Sequence, residues 1–500
     1  MKHLKKLSAL LLVLLLAVQL LPLAALAADP MEDILGVYEG YYYATQGQTG
    51  VTLTVYEEDG AVKATFEFYN LPNRTNAKDG SFYGNISYQN GVYTLTPTAW
   101  INHPTDYYMV IIRSATLNGN VLSGRVASAQ PNTSTTYEFY AEKANASYSD
   151  IQNSLYNDHR YEVVDEGMTW PAAKAYAEER GGHLAVITSA EEEAFVEQLI
   201  ADGEKNQYWL GGYREGSGFQ WVTGEAFGYT NWDKNQPDHN RGVEDYVQLQ
   251  RIANPHVGGS RSMTWNDAPG DNTIPGEEEH FSLSHVGLVI EYDVWSSASD
   301  WAGEELQEAH EKGLIPDVLI GRELDGPITR GEFAAVAVKL YEAISGNRMI
   351  IARNAPFTDI ENSAERLYIL KAYNYSIVNG VSATAFAPDD LITREQMATM
   401  LTRVYQKYLH PNYTIETDGQ YPLHFSNVQK FYDNDQISDF AYSSVYFMSA
   451  NNIINGMDDA AGRRVFRPKN TSSAQAAALY ANATREQALL VSARTLDQLG

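Results

Sequence analysis

The stretch Asn231-Trp232-Asp233-Lys234-Asn235-Gln236-Pro237-Asp238-His239, followed by Glu244 and by Trp265-Asn266-Asp267, decides how the chain is read. Gln236, Asp238, Glu244, Asn266 and Asp267 all end in a side-chain oxygen, and Pro237 restricts the backbone inside the first group. A hard cation such as Ca²⁺ takes about 6–8 oxygen ligands from carboxylates, amides and carbonyls. These residues fill most of such a shell and leave positions open for the hydroxyls of a ligand. A solvated acidic loop has the same composition, so the flanking sequence must decide.

Upstream stand Trp170-Pro171-Ala172-Ala173, Gly182-His183-Leu184-Ala185, Tyr208-Trp209-Leu210-Gly211-Gly212, Trp221-Val222 and Tyr229-Thr230-Asn231-Trp232. Downstream comes Gly287-Leu288-Val289-Ile290-Glu291. In this order the motifs resemble a C-type lectin-like domain, α+β in class, over residues 156–293. The resemblance implies that Gln236, Asp238, Glu244, Asn266 and Asp267 bind Ca²⁺, which in turn holds two vicinal sugar hydroxyls. It also implies a cis bond before Pro237, which X-Pro sequences allow. The order Gln-Pro-Asp goes with galactose-type sugars in that family. Gln236, Asp238, His239, Glu244 and Asn266 are then the candidate ligand contacts. Two features depart from the family: the chain has no cysteine, and no Trp or Tyr stands between the triplet and Tyr246. The interval from Glu244 to Trp265 is also long and contains His256, Gly258 and Gly259.

Local signals fit this segment. Thr169 caps a helix with Ala172, Ala173, Tyr176 and Ala177 on one face, ended by Gly181-Gly182. Ser189 and Glu192 form a capping box for a second helix, whose buried stripe is Ala194, Phe195, Leu199 and Ile200. Trp209, Trp221 and Trp232 read as core.

The 500 residues suggest about three domains. The formal charge of −27, or −30 without Lys2, Lys5 and Lys6, disfavours nucleic acid and anionic membranes. Without cysteine there is no disulfide, thiol nucleophile or thiolate metal site. Met1 to Ala27 reads as a secretory signal, with Lys2, Lys5 and Lys6, an apolar run from Leu7 to Leu23, and Ala25-Leu26-Ala27 for cleavage. No transmembrane segment is expected in the mature chain.

Residues 31–145 read as an all-β barrel or sandwich. Val51, Leu53 and Val55 alternate with polar positions, as do Val62, Ala64, Phe66 and Phe68 after the turn at Asp59-Gly60. Another alternation, Tyr107 to Ile112, precedes a turn at Asn118-Gly119. The segment resembles a Gly/Tyr-rich β domain of bacterial surface proteins, which implies no activity. Trp100, Tyr107 and Tyr108 are either packing residues or platforms for sugar rings. Residues 146–155 read as a linker.

From Ser297 the pattern turns helical and recurs. Thr329-Arg330-Gly331-Glu332, Thr393-Arg394-Glu395 and Thr484-Arg485-Glu486 each open an amphipathic helix with Thr as N-cap. Phe386-Ala387-Pro388 and Phe466-Arg467-Pro468 precede the second and third, while the first has no such segment. Residues 297–500 resemble three all-α S-layer homology repeats. That resemblance implies that Arg330, Arg394 and Arg485 bind an anionic secondary cell-wall polymer, for which a guanidinium fork beside a helix N-terminus is suited.

There is no Gly-x-Ser-x-Gly elbow, His-Glu-x-x-His helix or phosphate-binding Gly-rich loop, so no enzymatic activity is expected. His103 and Asp106, near Trp100, are the residues an unrecognised active site would use. The expectation is a secreted protein held at the cell wall or S-layer of a Gram-positive-type bacterium, binding a glycan or glycoprotein through Ca²⁺. The alternative is an adhesive or structural S-layer component whose lectin-like fold binds protein.

Overall fold

In a computed structural model of the chain, residues 30–500 are described apart from 59, 72–77, 254–260, 354 and 427. The expected signal sequence, Asp59 of the first turn, and His256, Gly258 and Gly259 lie outside the described residues. The chain divides into two compact units, essentially the segment through Lys143 and the segment Ala144–Gly500.

The first unit is a closed antiparallel barrel. Its strands are β1 (Gly36–Ala44), β2 (Gly47–Glu58), β3 (Ala61–Tyr69), β4 (Gly80–Gln89), β5 (Val92–Asn102), β6 (Val110–Asn118), β7 (Val121–Ser128) and β8 (Tyr137–Lys143). Val51, Leu53, Val55, Ala64, Phe66 and Phe68 are buried, so the period-2 apolar residues fill the interior. The two ends differ. At one, the register pairs Glu58 with Ala61, Gln89 with Val92 and Asn118 with Val121 across tight turns. Gly60, Gly91 and Gly119 supply the positive φ such turns need. The short helix Pro30–Asp33 lies at this end, where the Tyr93 hydroxyl donates to Pro30 O at 2.6 Å. The other end carries the longer connections 103–109 and 129–136.

In the second unit, the expected linker is instead a helix, Ala146–Asn153, capped by Asn145. Its Tyr148 hydroxyl and Gln152 amide both donate to Asp317 Oδ2, at 2.8 and 2.6 Å. A mixed sheet follows, built from β9 (Leu155–Tyr156), β10 (His159–Val164), β11 (His183–Leu184), β12 (Gln207–Glu215), β13 (Gly218–Trp221), β14 (Tyr246–Gln250), β15 (Thr264–Ala268) and β16 (Val286–Tyr292). Its order is β15-β14-β12-β16-β10-β9, with β11 on β16 and β13 on β12; the β12–β16 pair is parallel. Trp209, Trp221 and Trp265 are completely buried, and half-buried Trp232 packs against the same core.

Both expected helices form here, with corrections in detail. In Trp170–Glu179 the Thr169 cap is present, but the buried residues are Trp170, Ala173 and Ala177, while Ala172 faces solvent. In Ala190–Ile200 Ser189 accepts from Glu192 N–H, yet the Glu192 carboxylate reaches back to Thr188 N–H (2.6 Å). Val196 and Ile200 are buried, Phe195 and Leu199 half-buried, and Ala194 exposed.

The C-terminal segment is helical, with two short strand pairs, β17 (Trp295–Ser297) with β18 (Arg322–Glu323) and β19 (Met457–Asp458) with β20 (Arg464–Val465). It is therefore not purely α. Helices Arg330–Ser345, Arg394–Leu409 and Arg485–Leu499 start at one place. Ile328 N–H donates to Ala483 O (2.9 Å), Ala483 N–H to Ile392 O (3.1 Å), and Ile392 N–H to Ile328 O (3.2 Å). This closed ring of backbone bonds joins the residue before each Thr-Arg pair to the other two. No helix among the described residues is long and apolar enough to cross a membrane.

Candidate metal and ligand sites

The quoted stretch leaves the sheet at Trp232 and returns to it through β14 and β15. Trp232 bridges to Trp265, and Val247 on β14 faces Asp267 on β15. This pairing closes a loop of sequence around one spot. Asp238, Glu244 and Asp267 each place a carboxylate oxygen there, all within 4.8 Å of one another. Asp238 is exposed, whereas Glu244 and Asp267 are buried. The Gln236–Pro237 bond is cis.

Backbone amides hold the carboxylates in place. Asp238 N–H donates to Asp267 Oδ1 (3.1 Å) and to Gln236 Oε1 (3.1 Å). His239 N–H donates to Asp267 Oδ2 (3.0 Å), and Asn240 N–H to Glu244 Oε2 (2.7 Å). The His239 ring approaches Glu244 O through Nδ1 (3.0 Å). Asn266 donates to Asp267 O (2.6 Å), and its buried Oδ1 has no hydrogen-bond partner among the described residues.

Burial, the hydrogen bond with Asp238 and the nearby carboxylates raise the Glu244 pKa to about 8, against the lowering effect of Asn240 N–H. Burial likewise raises Asp267 above its ordinary value, opposed by the two backbone amides and Arg214. Crowded, partly desolvated carboxylates beside an orphaned amide oxygen fit a hard cation, whose charge would remove the repulsion.

Sequence reasoning missed Arg214. From the end of β12 it donates to Asp267 Oδ2 (2.6 Å) and Glu244 O (3.2 Å). It thus occupies one oxygen of the most buried carboxylate. Tyr246, the first aromatic after the triplet, stacks on Trp170 at 4.4 Å and belongs to the core.

The three Thr-Arg motifs lie together at the ring of helix starts, but their arginines differ in partners. Arg330 donates to the carbonyls of Phe386 (2.9 Å) and Asn379 (3.0 Å). Arg394 donates to Phe466 O (2.9 Å) and Gln487 Oε1 (2.8 Å). These acceptors are neutral, and burial, opposed by Asp390 and Asp359 near Arg330 and by Asp433 near Arg394, lowers both pKa values, that of Arg394 to about 10. Arg485 instead donates through Nε and a terminal nitrogen to Glu332 Oε1, at 3.0 and 2.8 Å.

Each arginine lines a cavity. The Arg394 cavity, about 310 Å³, includes Trp301, Asn455, Gly456 and Gln487. The Arg330 cavity, about 260 Å³, has the matching set Phe440, Asn379, Gly380 and Gln396. Trp301 and Phe440 are 60% and 59% exposed, so each of these cavities has an aromatic wall open to solvent. The Arg485 cavity is lined instead by Arg160, Glu162, Arg180 and Tyr292 of the sheet domain.

Residues 166–273 match the lectin C-type domain family, and residues 356–398, ending in the second Thr-Arg helix, match the S-layer homology domain family. C-type lectin domain family 4 member G of Mus musculus is 29% identical over 121 residues, 23% of this chain and 37% of that protein. C-type lectin TsL of Trimeresurus stejnegeri is 31% identical over 113 residues, 21% of this chain and 67% of that protein. The galactose-specific lectin nattectin of Thalassophryne nattereri is 34% identical over 106 residues, 20% of this chain and 60% of that protein. The chain therefore spans little more than a third of the mouse relative. Among solved structures, a calcium-independent type II antifreeze protein is 21% identical, covering 28% of this chain and 89% of that chain, with a TM-score of 0.21.

Proposed function

Because the chain belongs to the C-type lectin family through residues 166–273 and carries an S-layer homology domain, we propose that it is a secreted cell-surface protein that binds carbohydrate through Ca²⁺ and attaches non-covalently to the cell wall of a Gram-positive-type bacterium. The observation that carries the lectin reading is the convergence of Asp238, Glu244 and Asp267 beside the unpartnered Oδ1 of Asn266.

Asp238, Glu244 and Asp267 would hold the ion, with amide oxygens from Gln236 and Asn266. Bound Ca²⁺ supplies coordination positions for two vicinal hydroxyls. Gln236 and Asp238 meet the same hydroxyls by hydrogen bonds: the carboxylate accepts, while the amide both donates and accepts. Gln-Pro-Asp order and the galactose-specific relative both support a galactose-type sugar. With Tyr246 in the core, the apolar face of the sugar falls to His239. The reading contains no catalytic step.

Calcium titration by calorimetry tests it, on the full chain and on the Asp238→Ala, Asp267→Ala variant. Saturable uptake by the parent that is lost in the variant is expected. No uptake by the parent would sink the lectin reading and leave wall attachment standing. One observation favours the rival, a lectin-shaped domain that binds protein without calcium: the Arg214 guanidinium already neutralises Asp267. That rival predicts protein binding indifferent to a chelator.

A further inference from the structure

The barrel has one end closed by tight turns and the helix Pro30–Asp33, and one end built of longer connections. At that open end lies a cavity of about 380 Å³, within the usual range for small-molecule sites and in a usual place, the mouth of a barrel. Its lining is aromatic and uncharged in a particular way. It includes Tyr42, Tyr43, Tyr107, Tyr108 and Tyr137, together with the neutral polar residues Gln46, Gln130, Thr133 and Thr135. Among the described lining residues Asp106 is the charged one.

The rings divide into two kinds. Tyr42 is buried, and Tyr107 is fixed by stacking on Phe68 (5.8 Å, 8°) and by accepting from Lys78 N–H (3.0 Å). Tyr43 and Tyr108 are 37% and 54% exposed, so both present surface to solvent. Gln46 is oriented by donating to Thr49 Oγ1 at 3.2 Å. Asp106 stands at φ 68°, a left-handed conformation that Asp tolerates better than most residues.

We propose that this barrel mouth is a second saccharide site, independent of calcium, which takes one or two uncharged sugar rings. Tyrosine faces cover the C–H face of a pyranose, and the amides, hydroxyls and single carboxylate answer its hydroxyls. Other ligand classes fit less well. An anion would meet the Asp106 carboxylate, on a chain of formal charge −27. An acyl chain has nowhere to go, because Leu53, Phe66 and Phe82 fill the interior, with Phe66 and Phe82 stacked at 5.0 Å.

The test uses the full chain carrying Asp238→Ala and Asp267→Ala, in chelator, so that failure here is separate from failure of the calcium site. Cellobiose, lactose and N,N′-diacetylchitobiose are titrated by calorimetry and ligand-observed NMR. At least one is expected to bind saturably, with Kd at or below about 1 mM. Tyr108→Ala and Gln46→Ala should each weaken that binding about tenfold or more without moving the thermal midpoint, since neither residue belongs to the barrel core. Tyr43→Ala serves as a second probe of stacking. Binding of none of the three sugars, or binding that Tyr108→Ala and Gln46→Ala leave unchanged, overturns the assignment.

Discussion

Glu193 shows how far a single side chain couples the lectin core to pH. It is almost fully buried, and both its oxygens accept from Trp265 Nε1 at 2.9 Å, while Asn231 donates at 3.1 Å. Burial outweighs these hydrogen bonds and raises its pKa from 4.5 to about 7. Between those values the folded chain keeps the proton and the unfolded chain has lost it. Stability therefore falls as pH rises from about 4.5 to about 7, by roughly 3 kcal/mol in all, and is level above. Glu193→Gln should flatten that slope and leave the protein more stable at pH 8. Urea unfolding from pH 5 to 8 decides it, and identical slopes for parent and variant would refute the assignment. At the proposed sugar site the matching prediction is Gln236→Glu with Asp238→Asn. Exchanging donor and acceptor should move selectivity toward mannose-type sugars, and an unchanged glycan-array profile would count against direct readout by the pair.

Elements were legible in proportion to how local their causes are. The Thr caps could be read because the bond they make is three residues away: Thr393 accepts from Gln396 N–H, and the Gln396 side chain returns to Thr393 N–H. Thr393→Ala is accordingly expected to cost about 1 kcal/mol. Chemical unfolding followed by far-UV circular dichroism measures it, and no loss would mean that the ring of backbone bonds alone holds the helix start. The helix Ala146–Asn153 was illegible because a helix so short is held by tertiary contacts, here with Asp317 far along the chain. Barrel and sandwich share the same alternation of apolar residues, so closure of β1–β8 could not be read from it. The acidic cluster was legible because its residues fall in named motifs. Arg214 was not, since its partners Glu244 and Asp267 come from distant β strands and loops.

On the scale of the whole molecule, repetition does not mean equivalence. The helix starts close into one ring, yet position 331 is Gly where the other motifs have Glu395 and Glu486. Those carboxylates accept from Ser438 and Ser299, both backbone and hydroxyl, at 2.9 Å. A Cβ at Gly331 would stand 3.1 Å from Glu365 Oε2, so Glu365 takes the place that a motif carboxylate fills elsewhere. The arginines follow the same asymmetry. Among the described residues Arg330 and Arg394 donate to neutral acceptors, beside an exposed aromatic ring, and feel carboxylates only at longer range, whereas Arg485 is paired directly with Glu332. If an anionic wall polymer is the anchor, its carboxylates should seek the two guanidiniums that have no carboxylate hydrogen bond among the described residues. Arg330→Ala with Arg394→Ala should then reduce sedimentation with purified cell walls at least about tenfold, because two charge-assisted contacts are lost. Arg485→Ala should leave sedimentation nearly unchanged and instead lower the unfolding midpoint, since it strands the buried Glu332 carboxylate. Equal sedimentation of the double variant and the parent would remove the anchor from these grooves, and a loss confined to Arg485→Ala would move it to the cavity shared with the lectin domain.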